Sequence, residues 1–457
     1  MLHIALSAIK KSEPVSTLDD VLRGRDIYDL DPSTLPVETA GMPEWDYMEP
    51  RIRGRMLGGM LRHVVKAAKQ TPIYRDDSRW RFVSAENIYD IADLAKLPIV
   101  AKDSVPGTGT PEKQGIHGFR SRVIHNPFLL IPENVGSLFI QQQMANSRTL
   151  RSQYEKEWYQ FKSGGSMGDS TTTILSYLTL EAEAHALARC LRMNGFKEGM
   201  SVACFYASTH KGGLQLARAS VIMNMPFHSK DKIFNTIASD SRYTAAVEGF
   251  KEALSVQDIG QLERYGSTVR RGIRDYIAQH GIKVVESVQP PSEFIEKNAK
   301  GNALAFMTLY EEDPSAFEEV EHVFLTGFPI PYSAVERLRA DGKEVSTTWG
   351  STEVMALGTY PMTNVSNNDV NDLVATPFPA IGMVAHFKER GVAPQIEQVQ
   401  NGTEGMLLVT RLNQVGSLFV QYAIGDLATR TNEGYKNIRR ASTPNIAGSC
   451  ADDALSL

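Results

Sequence analysis

Cysteine is scarce, with only Cys190, Cys204 and Cys450 in 457 residues. No two of them are two to four positions apart, so zinc-knuckle spacing is excluded. So small and odd a number builds no disulfide framework and fits a reducing compartment. A basic excess is also lacking. Lysine and arginine total 48 against 53 acidic residues, a net charge of −5, which removes the electropositive footprint of a nucleic-acid binder. The basic stretch Arg51–Arg81 interleaves with Met56, Leu57, Met60, Leu61, Val64, Val65 and Ala68 at helical spacing, so it reads as the solvated face of a helix. No apolar run approaches the roughly 18 residues of a membrane span. The apolar opening Met1–Ile9 is shorter than a secretory signal core and runs into lysines. Repeats and low-complexity tracts are absent. What remains is 42% apolar and 22% charged, the balance of an ordinary globular chain with two or three domains or subdomains. The expectation is a cytoplasmic, enzyme-sized protein with neither nucleic acid nor membrane as partner.

The periodicity predicts a helix from about Arg53 to Lys69, stopped at the Thr71–Pro72 step. Ser84 has the look of a helix N-cap. Residues 103–118 hold six prolines and glycines and read as a loop. After residue 170 helix and strand alternate. Helices are expected at Leu180–Met193, Gly213–Met223 and Ser333–Arg339. Strands are expected at Val202–Tyr206, Tyr243–Val247, Ile282–Val285, His322–Leu325 and Val345–Thr348. This alternation predicts an α/β fold with an open, largely parallel sheet. Beyond Pro377, short β runs at Ala380–Phe387, Gly405–Thr410 and Ser417–Tyr422 suggest a small β subdomain.

Three segments carry chemistry. Lys162-Ser163-Gly164-Gly165-Ser166-Met167-Gly168-Asp169 and the hydroxyl run that follows place glycines and hydroxyls where backbone N–H groups can nest around phosphate oxygens. No Gly-Lys-Ser/Thr closes the run, so it is not a Walker loop. Trp349-Gly350-Ser351-Thr352-Glu353 follows a predicted strand, and ligands gather at the carboxyl ends of such strands. Its glutamate suits Mg²⁺ held together with substrate phosphates. Tyr422-Ala423-Ile424-Gly425-Asp426 sets an aspartate where it can accept from two vicinal hydroxyls. Taken singly, the three read more simply as a flexible surface loop, a solvated loop acid and a β-turn aspartate.

Together, in this order, the three segments resemble the signatures of the adenylate-forming superfamily of acyl-CoA synthetases, adenylation domains and luciferases. Leu325–Ile330, Glu404–Thr410 and Gly434–Ser442 resemble its adenine loop, the strand before its Gly-Asp element and the turn to its hinge. Leu61–Ala68, Thr71–Arg75 and Ala92–Asp103 look like the opening of the phenylacetate–CoA ligase branch, and Pro291-Ser292 like a substrate-side element of it. The resemblance covers about residues 55–448, with insertions near 104–150 and 230–285.

The fold it implies is the large N-terminal domain of adenylate-forming enzymes: two α/β subdomains with mainly parallel sheets plus a small β-barrel-like subdomain, without the C-terminal lid. The boundaries are a segment at 1–150, a nucleotide- and acid-binding core at 151–376, the β subdomain at 377–440, and a hinge remnant with tail at 441–457. The implied reaction is attack of a carboxylate, aromatic or small, on ATP·Mg²⁺ to give acyl-AMP, followed by transfer to a thiol of CoA or a carrier protein.

By the resemblance, Ser163, Gly164, Gly165, Ser166 and Gly168 cradle the β/γ-phosphates, with Lys162 beside them. Thr352 contacts the α-phosphate and Glu353 holds Mg²⁺. Gly327, Phe328 and Pro329 flank the adenine, with Trp349, Gly350 and Ser351 completing the AMP site. Asp426 binds the ribose and Arg440 assists at the hinge. Tyr206 and His210 face the acid.

Departures from the pattern are Met167 for a hydroxyl, Asp169 beside an anion loop, Trp349 for tyrosine, and Ser442-Thr443 in place of an acidic hinge residue. No lysine follows Lys436, so the lid lysine of the family has no counterpart. Two alternatives stay open: an acyl-protein synthetase that parks its acyl group on Cys450, and a non-catalytic nucleotide-binding partner subunit. A lid in trans and a homodimer are further expectations.

Overall fold

The computed structural model describes residues 17–101, 123, 126–133, 158–162, 172–206, 210–256, 258–288, 305–327, 330–354, 358–359, 373–375, 378–390, 393–412 and 416–440. The expected phosphate loop at 163–170, Phe328, Pro329, Pro291-Ser292, the 103–118 loop and Cys450 lie outside them.

Among the described residues, five strands form a parallel sheet: β4 (Val202–Cys204), β5 (Phe227–Ser229), β6 (Val284–Val288), β7 (His322–Thr326) and β8 (Glu344–Ser346), in the order β5-β4-β6-β7-β8. The register aligns Cys204, Glu286, Phe324 and Ser346 in one row across four strands. Parallel strands need crossovers, and here these are helical. α3 (Lys211–Ile222) joins β4 to β5, while α4 (Lys230–Ser239), α5 (Thr244–Val256) and α6 (Ile259–Gln279) fill the connection from β5 to β6. α7 (Phe306–Glu312) precedes β7, and α8 (Tyr332–Ala340) joins β7 to β8.

A second, mainly antiparallel sheet runs β13-β12-β14-β15-β16-β11-β10-β9. Its strands are β9 (Thr348–Trp349), β10 (Gly358–Thr359), β11 (Leu373–Ala375), β12 (Ala380–Arg390), β13 (Ala393–Gln398), β14 (Glu404–Arg411), β15 (Tyr422–Arg430) and β16 (Gly434–Arg440). β1 (Val100–Ala101) adds to β15 in parallel. Only Thr347 separates the last strand of the parallel sheet from the first of this one. The long N-terminal helix α1 (Pro50–Lys69) buries one apolar stripe, Met56 to Ala68, on the common core.

A third element is the hairpin β2 (Trp158–Lys162) and β3 (Thr172–Ser176), whose terminal pair is Lys162 opposite Thr172. It frames the expected phosphate loop. The hairpin docks on residues 416–417: the Ser417 N–H donates to the Ile174 carbonyl at 2.7 Å, and the Ile174 N–H donates to Ser417 Oγ at 2.9 Å. Gly416, at φ +125°, makes this close approach possible, because an added Cβ would lie 2.4 Å from the Ile174 carbonyl oxygen. Gly416→Ala is therefore expected to cost about 1–3 kcal/mol through left-handed strain and that clash. Urea unfolding of the two proteins measures it, and an unchanged midpoint would remove the role given to this glycine.

The helices at Leu180–Met193, Gly213–Met223 and Ser333–Arg339 appear with ends shifted by a few residues, the first as α2 (Tyr177–Met193). Three expectations are corrected. Tyr243–Val247 is not a strand, because Thr244 opens α5. The apolar set continues as Ala246, Val247, Phe250 and Ala253, all buried, which is helical spacing against α6. Ser417–Tyr422 is not a strand either: Gln421 sits at φ +48° and β15 starts only at Tyr422. Ser84 heads a 3-10 turn without a side-chain cap, and the capping box belongs to Asp90 with Asp93.

Candidate active site

The carboxyl ends of β4, β6 and β7 open on a cavity of about 120 Å³. Its lining brings together Tyr206 and His210 from beyond β4, Glu286 on β6, Thr326 and Gly327 at the end of β7, and Gly350, Ser351 and Thr352 from the turn after β9. Leu187, Leu216, Phe324 and Val354 supply its apolar wall. Two stretches that the sequence assigned to different halves of one ligand, the acid side and the adenylate side, thus face one space.

Local chemistry fixes the residues expected to face the acid. His210 is the N-cap of α3, and its Nδ1 accepts the Gly212 N–H at 3.1 Å. That role leaves the proton of the neutral ring on Nε2, a donor. The ring stacks on Tyr206 with centroids 5.0 Å apart. Thr326 Oγ1 lies 2.8 Å from the Tyr206 hydroxyl and 3.0 Å from Glu286 Oε1, and the Cys204 thiol donates to Glu286 Oε2 at 2.9 Å.

The turn expected to face the adenylate rests on a buried charge network that sequence reading missed. Lys211 Nζ sits 3.0 Å from Glu183 Oε2 and donates to the Thr352 carbonyl at 3.0 Å. Arg411 pairs with Glu183 Oε1 at 3.1 Å, and it donates to the Glu353 carbonyl and, at 3.3 Å, to the Ser417 carbonyl. Gln215 Nε2 donates to Glu183 Oε2 at 2.5 Å. Glu183, Lys211, Arg411 and Glu353 are all buried. Burial lowers the Lys211 ammonium to about 8, while Glu183 pulls it back up, so at neutral pH it remains a cation. Two cations thus hold the backbone of the Thr352–Glu353 turn. Through Ser417, Arg411 also links that turn to the β2–β3 hairpin. One signal was available in the sequence: Glu183 falls on the apolar face of α2, three residues after Leu180.

The other expected residues are placed as follows. Ser351 Oγ accepts the Val354 N–H at 3.2 Å, which tightens the turn. Glu353 is buried between the lining residues Thr352 and Val354. Trp349 is half-buried on β9 and packs on the main core. Lys162 is exposed at the end of β2. Asp426 is buried on β15, with Arg440 its register partner on β16. Lys162, Trp349, Glu353, Asp426 and Arg440 are not among the described residues that line the cavity. No group of three or more His, Cys, Asp or Glu side chains arranged for a metal occurs among the described residues. No helix among them is long and apolar enough to cross a membrane.

Burial pushes the Glu286 carboxyl up from the ordinary 4.5 to about 7, against the Cys204, Thr326 and His210 interactions that lower it. The folded state then binds the proton more tightly than the unfolded chain. This cost to stability is absent below about 4.5, grows as pH rises, and is complete above about 7. A shift of that size corresponds to about 3 kcal/mol. Glu286→Gln keeps the shape without the charge. Its urea midpoint is expected to exceed that of the parent at pH 8 and to converge with it near pH 5. Equal midpoints at both values would remove the assigned shift.

No protein-family model matches this sequence, and no curated protein matches it. Solved structures do. The chain superposes on 2-hydroxyisobutyryl-CoA ligase in the postadenylation state with R3-HIB-AMP at a TM-score of 0.54 and 14% identity, covering 91% of this chain and 71% of that one. The chain shares the fold of that ligase. The same ligase with 2-HIB-AMP matches at a TM-score of 0.52 and 13% identity, over 85% of this chain and 66% of that one. Its open conformation with 2-HIB-AMP and CoA matches at 0.51 and 13%, over 85% and 73%. This chain therefore spans between 66% and 73% of the length of these ligase chains. The expected architecture, the N-terminal domain of adenylate-forming enzymes, agrees with that likeness over 85% of this chain.

Proposed function

We propose that the protein activates a carboxylic acid as its acyl-adenylate, using ATP and Mg²⁺, and that CoA or a carrier-protein thiol accepts the acyl group. The observation that carries this reading is the shared cavity. Tyr206 and His210 face it from one side, and Gly327, Gly350, Ser351 and Thr352 from the other. It opens at the carboxyl ends of parallel strands, where such folds place their ligands.

The residues suit the nucleotide. Gly327, at φ +86°, and Gly350 present backbone without side-chain bulk to a planar base, while Ser351 and Thr352 offer hydroxyls to phosphate. Glu353 supplies the single carboxylate that Mg²⁺ needs when phosphates complete its shell. Bound there, the ion would neutralise phosphate charge. His210 Nε2 donates to the acid carboxylate and orients it for attack on the α-phosphorus, with pyrophosphate as leaving group. Thr352 Oγ1 donates to the α-phosphate oxygen that gains charge. Lys211 and Arg411 act behind the turn by fixing its carbonyls. Asp426 receives the ribose hydroxyls, and the glycine–hydroxyl run at 163–170 the outer phosphates. Positioning and charge stabilisation supply most of the rate in such phosphoryl chemistry.

The substrate class, an aromatic or small organic acid as in the phenylacetate–CoA ligase-like branch, belongs to this proposal. So do the domain boundaries given above, a lid or carrier partner in trans, and a cytoplasmic setting. The test is acid-dependent exchange of labelled pyrophosphate into ATP across a panel of aryl, arylacetic and short aliphatic acids. Exchange with at least one acid is expected. ATP binding by calorimetry without exchange for any acid would overturn the ligase reading.

A further inference from the structure

Glu286 has no place in the adenylation chemistry, yet it lines the cavity. It sits in the row Cys204–Glu286–Phe324–Ser346, on the central strand of the parallel sheet. It is 4% exposed. An ionised carboxylate offers about four acceptor positions, and its two oxygens here receive one thiol and approach one hydroxyl. The one lysine among the described lining residues, Lys211, spends its contacts on Glu183 and the Thr352 carbonyl. The surrounding wall of Leu187, Leu216, Phe324 and Val354 cannot solvate a carboxyl. A buried acid with spare acceptor capacity, beside the apolar wall of the pocket, selects for a donor in whatever fills it.

We infer that Glu286 is a specificity residue, and that the acid taken by this cavity carries a second, hydrogen-bond-donating group, an ammonium or a hydroxyl, which docks on the Glu286 carboxyl. Phe324 and Thr326, which flank it on the neighbouring strand, frame the approach, and Thr326 passes the interaction on to Tyr206. This inference rests on the ligase reading for the identity of the ligand as an acid, but not for the docking itself.

The test uses two isosteric triplets: para-(aminomethyl)benzoate, para-(hydroxymethyl)benzoate and para-ethylbenzoate, and γ-aminobutyrate, γ-hydroxybutyrate and valerate. Binding to the full chain is measured by calorimetry, and pyrophosphate exchange is followed in parallel. In at least one triplet a donor-bearing acid is expected to bind about 10- to 100-fold more tightly than its alkyl isostere, the range of a hydrogen bond to a charged group. Glu286→Leu is expected to abolish that preference. Glu286→Gln keeps an acceptor oxygen, so it retains selection for a hydroxyl and loses selection for an ammonium, which separates the two donors. If Glu286→Leu does not fold, Glu286→Gln decides through that split. Equal or tighter binding of the alkyl isosteres overturns the inference, as does a preference that both variants keep. Absence of binding by every acid overturns it as well. Selective binding without exchange leaves the inference standing and sinks the ligase reading instead.

Discussion

Glu183→Ala is expected to lose about 3–5 kcal/mol of stability, because it strands two buried cations at once. Lys211 and Arg411 reach the same carboxylate from α3 and β14, and both side chains are at most 3% exposed. Neither can turn to water, so each keeps its desolvation cost when the anion goes. The measurement is urea unfolding followed by far-UV circular dichroism. The double substitution Glu183→Leu with Lys211→Met removes one cation together with the anion, so it is expected to recover part of the loss. A Glu183→Ala protein as stable as its parent would show that the three side chains do not act as one network.

Thr352→Val is the second large effect, on rate rather than stability. The contact that holds this turn in place is made by the Thr352 carbonyl, which accepts from Lys211, so the backbone anchor survives the change. Valine keeps the shape and deletes one donor. Pyrophosphate exchange is expected to fall about 10²- to 10³-fold, the usual cost of removing one preorganised donor to developing charge. The unfolding midpoint should move little. Exchange at the parental rate would take the α-phosphate contact away from Thr352 and leave Ser351 as the candidate hydroxyl.

Much of this arrangement was legible in the sequence, for identifiable reasons. The parallel core was readable because its strands are short apolar runs separated by helices of strong period. Thr352 and the glycines around it were readable because a turn after a strand carries a compact pattern. Tyr243–Val247 was misread because so short a mostly apolar run fits both periods, and only Phe250 and Ala253 beyond it break the tie. The charge network was not legible, because Glu183, Lys211 and Arg411 are scattered over 228 positions and meet only in the fold. The same is true of Glu286. One glutamate in Val284–Val288 looks like the solvent side of an edge strand, and nothing local reveals that β6 is central. Of the three segments whose meeting the sequence called for, the Thr352 turn and the hairpin that frames the glycine run are joined through Arg411 and Ser417. Asp426 lies on the neighbouring strand β15.

That Thr347 alone separates β8 from β9 has a mechanical corollary. With a link of one residue there is no loop to absorb a shear of one sheet against the other, so such a shear is expected to reach Gly350–Thr352 directly. Substitutions far out on either sheet should therefore register first as altered nucleotide affinity, before they disturb global unfolding.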